Sequence, residues 1–215
     1  MTKKIKIGIT QRVDRFEDFD EYRDTLDQRL IKWVICAGFI PVTIPNSLVD
    51  TSLTNNEQLN LNIWLNVLEI DAILLSGGND IGDIKNRDMT ENYLLLWAEK
   101  YEKSVLGICR GMQMMGVWSG VQLIEVEGHV RTRHNLQLNG IKSDLWPDSV
   151  NSYHNKALEK CPSSFDILAR SEDGNIEAMA HKVLSWEAWM WHPERENIFS
   201  KNDLDRFVSL VKNEK

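Results

Sequence analysis

The chain has 215 residues, with 25 Lys plus Arg against 32 Asp plus Glu and a formal net charge of −7. With 42% hydrophobic and 27% charged residues it can bury a sizeable core, and one domain over residues 1–215 is expected. The acidic balance argues against nucleic acid and anionic membrane as partners, no apolar run approaches the ~20 residues of a bilayer span, and no leader segment is evident.

The first half alternates strand and helix signals. Ile5–Thr10 reads as a strand. Glu21–Ala37 reads as a helix, with Leu26, Leu30, Trp33, Val34 and Ala37 at helical spacing and Gly38 as a stop. A short strand follows at Ile40–Ile44. A helix over Glu57–Leu68 carries Leu61, Trp64, Leu65 and Leu68 on one stripe. The apolar run Ala72–Ser76 ends at Gly77-Gly78, Thr90–Tyr101 is amphipathic, Val105–Cys109 is strand-like and Met112–Gly120 helical. This order predicts an α/β fold: three layers, with a mostly parallel central sheet flanked by helices.

The second half differs. Gln122–Glu127, Asn135–Leu138 and Asp166–Ala169 read as short strands, followed by Ile176–His181 and the fully apolar Ser185–Trp191. A small additional antiparallel sheet is expected here. Asn202–Lys212 closes the chain as a helix with Leu204, Phe207, Val208 and Val211 as its stripe. Trp33, Trp64 and Trp97 are expected in the core, as is Cys36. Trp146, Trp189 and Trp191 fit packing better than a pocket lining. Cys161 is expected to be inert, and His181 a surface or strand residue. Three widely spaced cysteines do not suit a disulfide framework, so a reducing, cytoplasmic setting is expected.

Open parallel sheets bind ligands at the carboxyl ends of their strands. Three such ends carry chemistry: Ser76-Gly77-Gly78-Asn79-Asp80, Gly107-Ile108-Cys109-Arg110-Gly111 and Trp191-His192-Pro193-Glu194. The second is G-x-C-x-G between strand and helix, the cysteine counterpart of a nucleophile elbow, where the following helix favours a thiolate. Taken alone it fits an ordinary βα turn equally well. His192 could act as base, with Glu194 two residues on orienting the ring from the same side of an extended backbone. Taken alone this pair fits a strand cap and a solvated acid. Gly78 and Arg110 could offer backbone N–H groups to an oxyanion. No second pair of ligands stands at a recognisable metal spacing, so no metal and no organic cofactor is expected.

In order and spacing, these three segments together with Met112-Gln113 and Val150-Asn151-Ser152-Tyr153-His154 resemble the class I (triad-type) glutamine amidotransferases, above all the branch of the γ-glutamyl-γ-aminobutyrate hydrolases. The resemblance runs from Ile5 to about Glu196. It implies that Cys109 is the nucleophile, His192 the general base and Glu194 the orienting acid, with Gly78 and Arg110 as oxyanion donors. It implies that Gln113 holds the γ-glutamyl moiety and that Tyr153 and His154 contact its α-carboxylate end. Met114-Met115-Gly116-Val117 and Asn155 depart from the usual pattern, which affects transfer of a substrate rather than of the triad. Trp189–Glu196 and Ile7–Arg12 further resemble a sub-branch of bacterial surface-polysaccharide pathways that acts on a γ-glutamyl phosphoramidate nucleotide.

The activity so implied is release of glutamate from a small-molecule γ-glutamyl amide, a nucleotide-linked one if the likeness to that sub-branch holds. A glutaminase subunit feeding a separate synthetase is the alternative, and a non-enzymatic scaffold the third reading. Arg12, Arg131 and Arg133 are candidates for an anionic leaving group, since Arg suits bidentate phosphate recognition. For Arg131 and Arg133 a solvated basic loop is equally compatible, with His129 and His134 as its supports and no zinc expected there.

Overall fold

The computed structural model describes residues 4–49, 57–139 and 146–213. Its frame is an eight-stranded sheet. Strands β1 (Lys6–Thr10), β4 (Ile40–Ile44), β5 (Ala72–Leu75), β6 (Ser104–Ile108) and β14 (Trp186–Trp189) are mutually parallel, in the order β4-β1-β5-β6-β14. β13 (Ile176–His181), β12 (Phe165–Arg170) and β9 (Gln137–Leu138) extend it antiparallel.

Helices cover both faces, and period-two alternation along the strands decides which side chain meets which layer. Ile73, Leu75 and Val105 pack with Leu61 and Leu65 of α2 (Glu57–Val67), Leu94 and Leu95 of α3 (Lys85–Lys100), and Met112 and Met115 of α4 (Arg110–Trp118). Their neighbours Ala72, Leu74, Leu106 and Ile108 face Leu30, Trp33 and Val34 of α1 (Gln28–Cys36) and Phe207 of α5 (Lys201–Lys212). Phe207 stacks on Trp33 at 4.7 Å between ring centroids, and Trp33 meets Trp189 edge-on at 6.2 Å. The core tryptophans therefore brace the end of β14. Trp146 and Trp191 join this packing at 5.9 Å rather than lining a pocket.

Three two-stranded antiparallel sheets decorate the frame where one was expected: β2 (Arg12–Phe16) with β3 (Glu21–Thr25), β7 (Leu123–Glu125) with β11 (Lys156–Leu158), and β8 (Val130–Asn135) with β10 (Ser149–Tyr153). The first corrects the helix expected over Glu21–Ala37. Residues 21–25 pair with β2 instead, and the helix starts where the Asp27 side chain accepts the Arg29 N–H at 2.8 Å. Cys36, expected in the core, is exposed because it lies off the Leu30–Trp33–Val34 stripe of the shortened helix. The helix expected over Thr90–Tyr101 starts earlier, at Lys85. The basic segment around Arg131 and Arg133 is strand β8 rather than a loop.

Among the described residues no helix is long and apolar enough to cross a membrane.

Candidate active site

Strands β5, β6 and β14 are hydrogen-bonded neighbours, with Leu75 level with Gly107 and Trp189 level with Ile108. All three run the same way, so Ser76-Gly77-Gly78, Cys109 and His192 emerge along one edge of the sheet. The sequence separates these segments widely; sheet topology brings them together.

Cys109 caps α4 with φ 50° and ψ −102°. A non-glycine residue there stores roughly 1–3 kcal/mol of backbone strain. The turn is held by the Cys109 N–H donating to the Trp189 carbonyl at 2.7 Å and by the Gln113 N–H donating to the Cys109 carbonyl at 3.1 Å. The flanking glycines are steric necessities: a Cβ on Gly111 would stand 2.3 Å from the Leu75 carbonyl oxygen, and one on Gly107 would stand 2.7 Å from the Gly111 backbone.

His192 is 2% exposed, and its backbone is clamped from both sides by one amide. Its N–H donates to Asn151 Oδ1 at 3.0 Å, and Asn151 Nδ2 donates to its carbonyl at 2.8 Å. The ring Nδ1 lies 2.6 Å from Glu194 Oε1. That contact does not come from extended backbone, as the sequence suggests, but from a single 3₁₀ turn over Pro193–Arg195, closed by Arg195 N–H to the His192 carbonyl at 3.0 Å. Tyr153 meets the imidazole edge-on at 5.8 Å.

Burial alone pushes the Cys109 thiol up, but the charge of His192 and a hydrogen bond to its ring outweigh burial and hold the thiol below its ordinary value. Burial likewise favours neutral His192, yet the Glu194 carboxylate and then the Cys109 thiolate raise it to about 10. Each group thus favours the charged form of the other, which drives the pair toward thiolate and imidazolium.

Gly77 and Gly78 close the third side. A Cβ on Gly77 would sit 2.6 Å from His192 Cε1, so only glycine lets this turn approach the ring. The turn is set from beneath by Arg87 of α3, wholly buried, whose Nη2 donates to the carbonyls of Ser76 at 2.8 Å and Gly77 at 2.9 Å. In a planar trans peptide the Gly78 N–H points opposite to the Gly77 carbonyl, hence away from Arg87. Arg87 pairs with Glu91 at 3.1 Å, and Glu91 also binds Arg110, which reaches Asp88 as well. The Arg110 side chain therefore lies beneath the elbow in a buried ion network, leaving its backbone to the edge of the sheet.

Gln113 is 4% exposed and its Nε2 donates to the Lys156 carbonyl at 2.9 Å. Tyr153 ends β10 and His154 follows it, buried, with Nδ1 3.0 Å from the Lys156 carbonyl.

A cleft of about 260 Å³ opens beside His192. Gly77, Gly78, His192 and Glu194 form its floor, and Arg12 and Arg195 are its cations. The β2–β3 hairpin supplies one wall through Asp14 and Thr25, pinned to the glycine turn by Asn79, which accepts the Val13 N–H at 2.9 Å and donates to the Val13 carbonyl at 2.8 Å. Of the three arginines singled out in the sequence, only Arg12 borders this cleft. Arg131 and Arg133 lie exposed on β8, and Arg133 is paired with Glu196 at 2.9 Å. Arg195 lies in the Trp189–Glu196 segment, where the sequence assigns it no role; its guanidinium stands 4.5 Å over the Tyr153 ring.

Residues 6–194 match the family described as Peptidase C26. The chain belongs to the Peptidase C26 family. As a C26 protein it is a hydrolase acting on C–N bonds. It is 28% identical over 216 residues to gamma-glutamyl-CDP-amidate hydrolase of Campylobacter jejuni subsp. jejuni serotype O:2, covering 96% of this chain and 98% of that protein. It is 26% identical over 210 residues to gamma-glutamyl-gamma-aminobutyrate hydrolase of Escherichia coli O157:H7, covering 79% of this chain and 78% of the relative. The C26 fold also superposes on a putative GMP synthase subunit protein from Thermoplasma acidophilum with a TM-score of 0.70 and 17% identity, over 99% of this chain and 96% of that one.

Proposed function

We propose that the protein hydrolyses a γ-glutamyl amide through a γ-glutamyl thioester on Cys109. The observation that carries this reading is the convergence of Cys109, His192 and Glu194 beside the Gly77-Gly78 turn, with the thiol lowered and the imidazole raised to about 10. In this reading the Cys109 thiolate attacks the γ-carbonyl carbon. The backbone N–H groups of Gly78 and Arg110 take the developing oxyanion, an effect worth about 3 kcal/mol per donor in such sites. His192 gives its proton to the departing nitrogen, then takes one from the water that attacks the thioester, and glutamate leaves. Glu194 keeps the ring oriented and charged. Gln113, Tyr153 and His154 border the γ-glutamyl group.

For the leaving group we favour a phosphoramidate-linked nucleotide. The near full-length match to a γ-glutamyl-CDP-amidate hydrolase supports it, and Arg195, over the Tyr153 ring, is the cleft cation placed to meet it, since Arg12 is paired with Asp14 at 2.8 Å. Arg131 and Arg133, candidates for the same leaving group in the sequence, do not border this cleft. Free cysteines throughout fit a cytoplasmic setting.

The test is glutamate release from glutamine, γ-glutamyl amines and a γ-glutamyl phosphoramidate nucleotide by the purified chain. We expect the nucleotide to be preferred, with all activity lost in Cys109→Ala. Activity on none of the three, or turnover surviving Cys109→Ala, overturns the proposal. Glutamine hydrolysis seen only once a synthetase is added would favour the alternative, a glutaminase serving a separate enzyme, for which the fold match to the Thermoplasma acidophilum protein is the relevant observation.

A further inference from the structure

A second group of buried polar side chains meets the active-site region through His154, whose charge bears on Cys109. His129 precedes β8, His134 is on β8, His154 follows β10 and Glu177 is on β13. Each offers one nitrogen or carboxylate oxygen such that all four atoms lie within 4.8 Å of one another. His129, His154 and Glu177 are 1%, 3% and 0% exposed. Among the described residues, His129 Nδ1, His134 Nε2, His154 Nε2 and both Glu177 oxygens have no hydrogen-bond partner.

The outward atoms say what the inward ones present. His154 Nδ1 lies 3.0 Å from the Lys156 carbonyl, which only accepts, so Nδ1 carries a proton and Nε2 is the nitrogen turned inward. His129 Nε2 lies 2.7 Å from Asp173 Oδ2, which leaves Nδ1 as the nitrogen turned inward. These nitrogens face a carboxylate: His154 Nε2 and His129 Nδ1 stand 3.6 and 3.9 Å from Glu177 Oε1. Buried nitrogens set against a carboxylate with no hydrogen bond made are unfavourable unless a cation, a metal ion or a proton, sits between them. The spacing is too long for hydrogen bonds and near that of ligands sharing an ion, since metal bonds of about 2.0–2.2 Å at tetrahedral angles hold donor atoms roughly 3.4 Å apart. Imidazoles whose far nitrogen donates to a carboxylate or carbonyl are the usual supporting arrangement of metal ligands.

We propose that His129, His134, His154 and Glu177 bind one divalent transition-metal ion of the zinc class. Three imidazoles and one carboxylate suit zinc or cobalt and disfavour magnesium or calcium, which prefer all-oxygen sets. Four protein ligands with three of them buried make a closed, structural site. The ion ties the β8–β10 pair to β13 and so fixes the segment that carries Tyr153 against His192. The ligands follow no recognisable spacing along the chain, so only the folded arrangement reveals them.

The test uses the full chain, stripped with a chelator and titrated with Zn²⁺ and, separately, Co²⁺. We expect about one metal per chain by elemental analysis, a Tm that rises with added Zn²⁺, and the intense visible bands of tetrahedral cobalt. Cys109→Ala should keep all three signatures. Glu177→Gln and His134→Ala should each weaken binding at least 100-fold; His134 is only half-buried, so its variant remains informative if Glu177→Gln does not fold. Substoichiometric metal without cobalt bands overturns the proposal, as does a Tm that answers to pH but not to Zn²⁺, which would mean a proton alone joins the cluster. Loss of the ion in Cys109→Ala, or unchanged affinity in both ligand variants, overturns it equally, because the ion would then sit elsewhere.

Discussion

Glu194→Gln tests the electrostatics of the candidate active site most directly. His192 is raised from its ordinary 6.5 to about 10 despite burial, and 10 − 6.5 = 3.5, which corresponds to about 5 kcal/mol favouring the imidazolium. Glu194 is the largest favourable contributor and the Cys109 thiolate shares the remainder. A neutral amide at 194 therefore removes about 2–4 kcal/mol, a ~30-fold to ~1,000-fold fall in kcat/KM. The pH profile gives the sharper signature. The wild-type ion pair exists above the lowered thiol value and below about 10, so activity should form a broad plateau whose alkaline limb lies near 10. In Glu194→Gln that limb should move at least one pH unit toward neutrality, and the acid limb should move up as the thiolate loses its fully charged partner. Glutamate release gives the profile, and the rate of iodoacetamide alkylation against pH reports the thiolate independently. Unmoved limbs in both assays would refute the assignment of Glu194 as the group that holds His192 charged.

Three further outcomes are expected. Arg87→Lys keeps a charge beside Glu91 but loses the fork that grips the Ser76 and Gly77 carbonyls; one lost charged hydrogen bond of about 1.5–3 kcal/mol predicts a ~10- to ~100-fold lower kcat with KM little changed, measured by steady-state kinetics. Phe207→Ala removes the ring stacked on Trp33 and should cost about 3–5 kcal/mol by urea unfolding. Burial, with Glu196 and Glu187 nearby, pushes the Asp203 carboxyl up to about 7 from 3.8. Its folded value is raised, so its contribution to stability is complete below pH 3.8 and is lost as pH climbs through 7; Asp203→Asn should raise Tm at pH 8 while changing it little at pH 4, followed by calorimetry.

The parallel half of the sheet is legible in the sequence because each strand is a continuous apolar run with a helix-period segment beside it. The three chemical strand ends are legible because glycines and reactive residues punctuate them. The β2–β3 hairpin is not: Leu26 through Ala37 have helical spacing, and nothing in the polar, exposed residues 21–25 or their partner strand marks where that spacing stops. Strand β8 escapes notice for the same reason, since Val130–Asn135 alternates only between exposed and half-buried positions, whereas β10 is buried at its centre but through the polar Asn151 and Ser152. Within the site, Cys109, His192 and Glu194 can be read from motifs, whereas Arg87 and Asn151 act by holding backbone in place and look in sequence like ordinary polar residues. Arg195 and the His129–His134–His154–Glu177 group depend on packing between distant segments, for which one sequence holds no periodicity.

The adjacency of β6 and β14 also orders events during synthesis. Cys109 leaves the ribosome early, on a strand that cannot acquire its outer neighbour until the chain has been extended past residue 189. Until then the elbow lacks both its imidazole and the Trp189 carbonyl that anchors its amide. In the proposed reaction a chain halted before that point has no base for its thiol, and turnover begins only once the last parallel strand has docked.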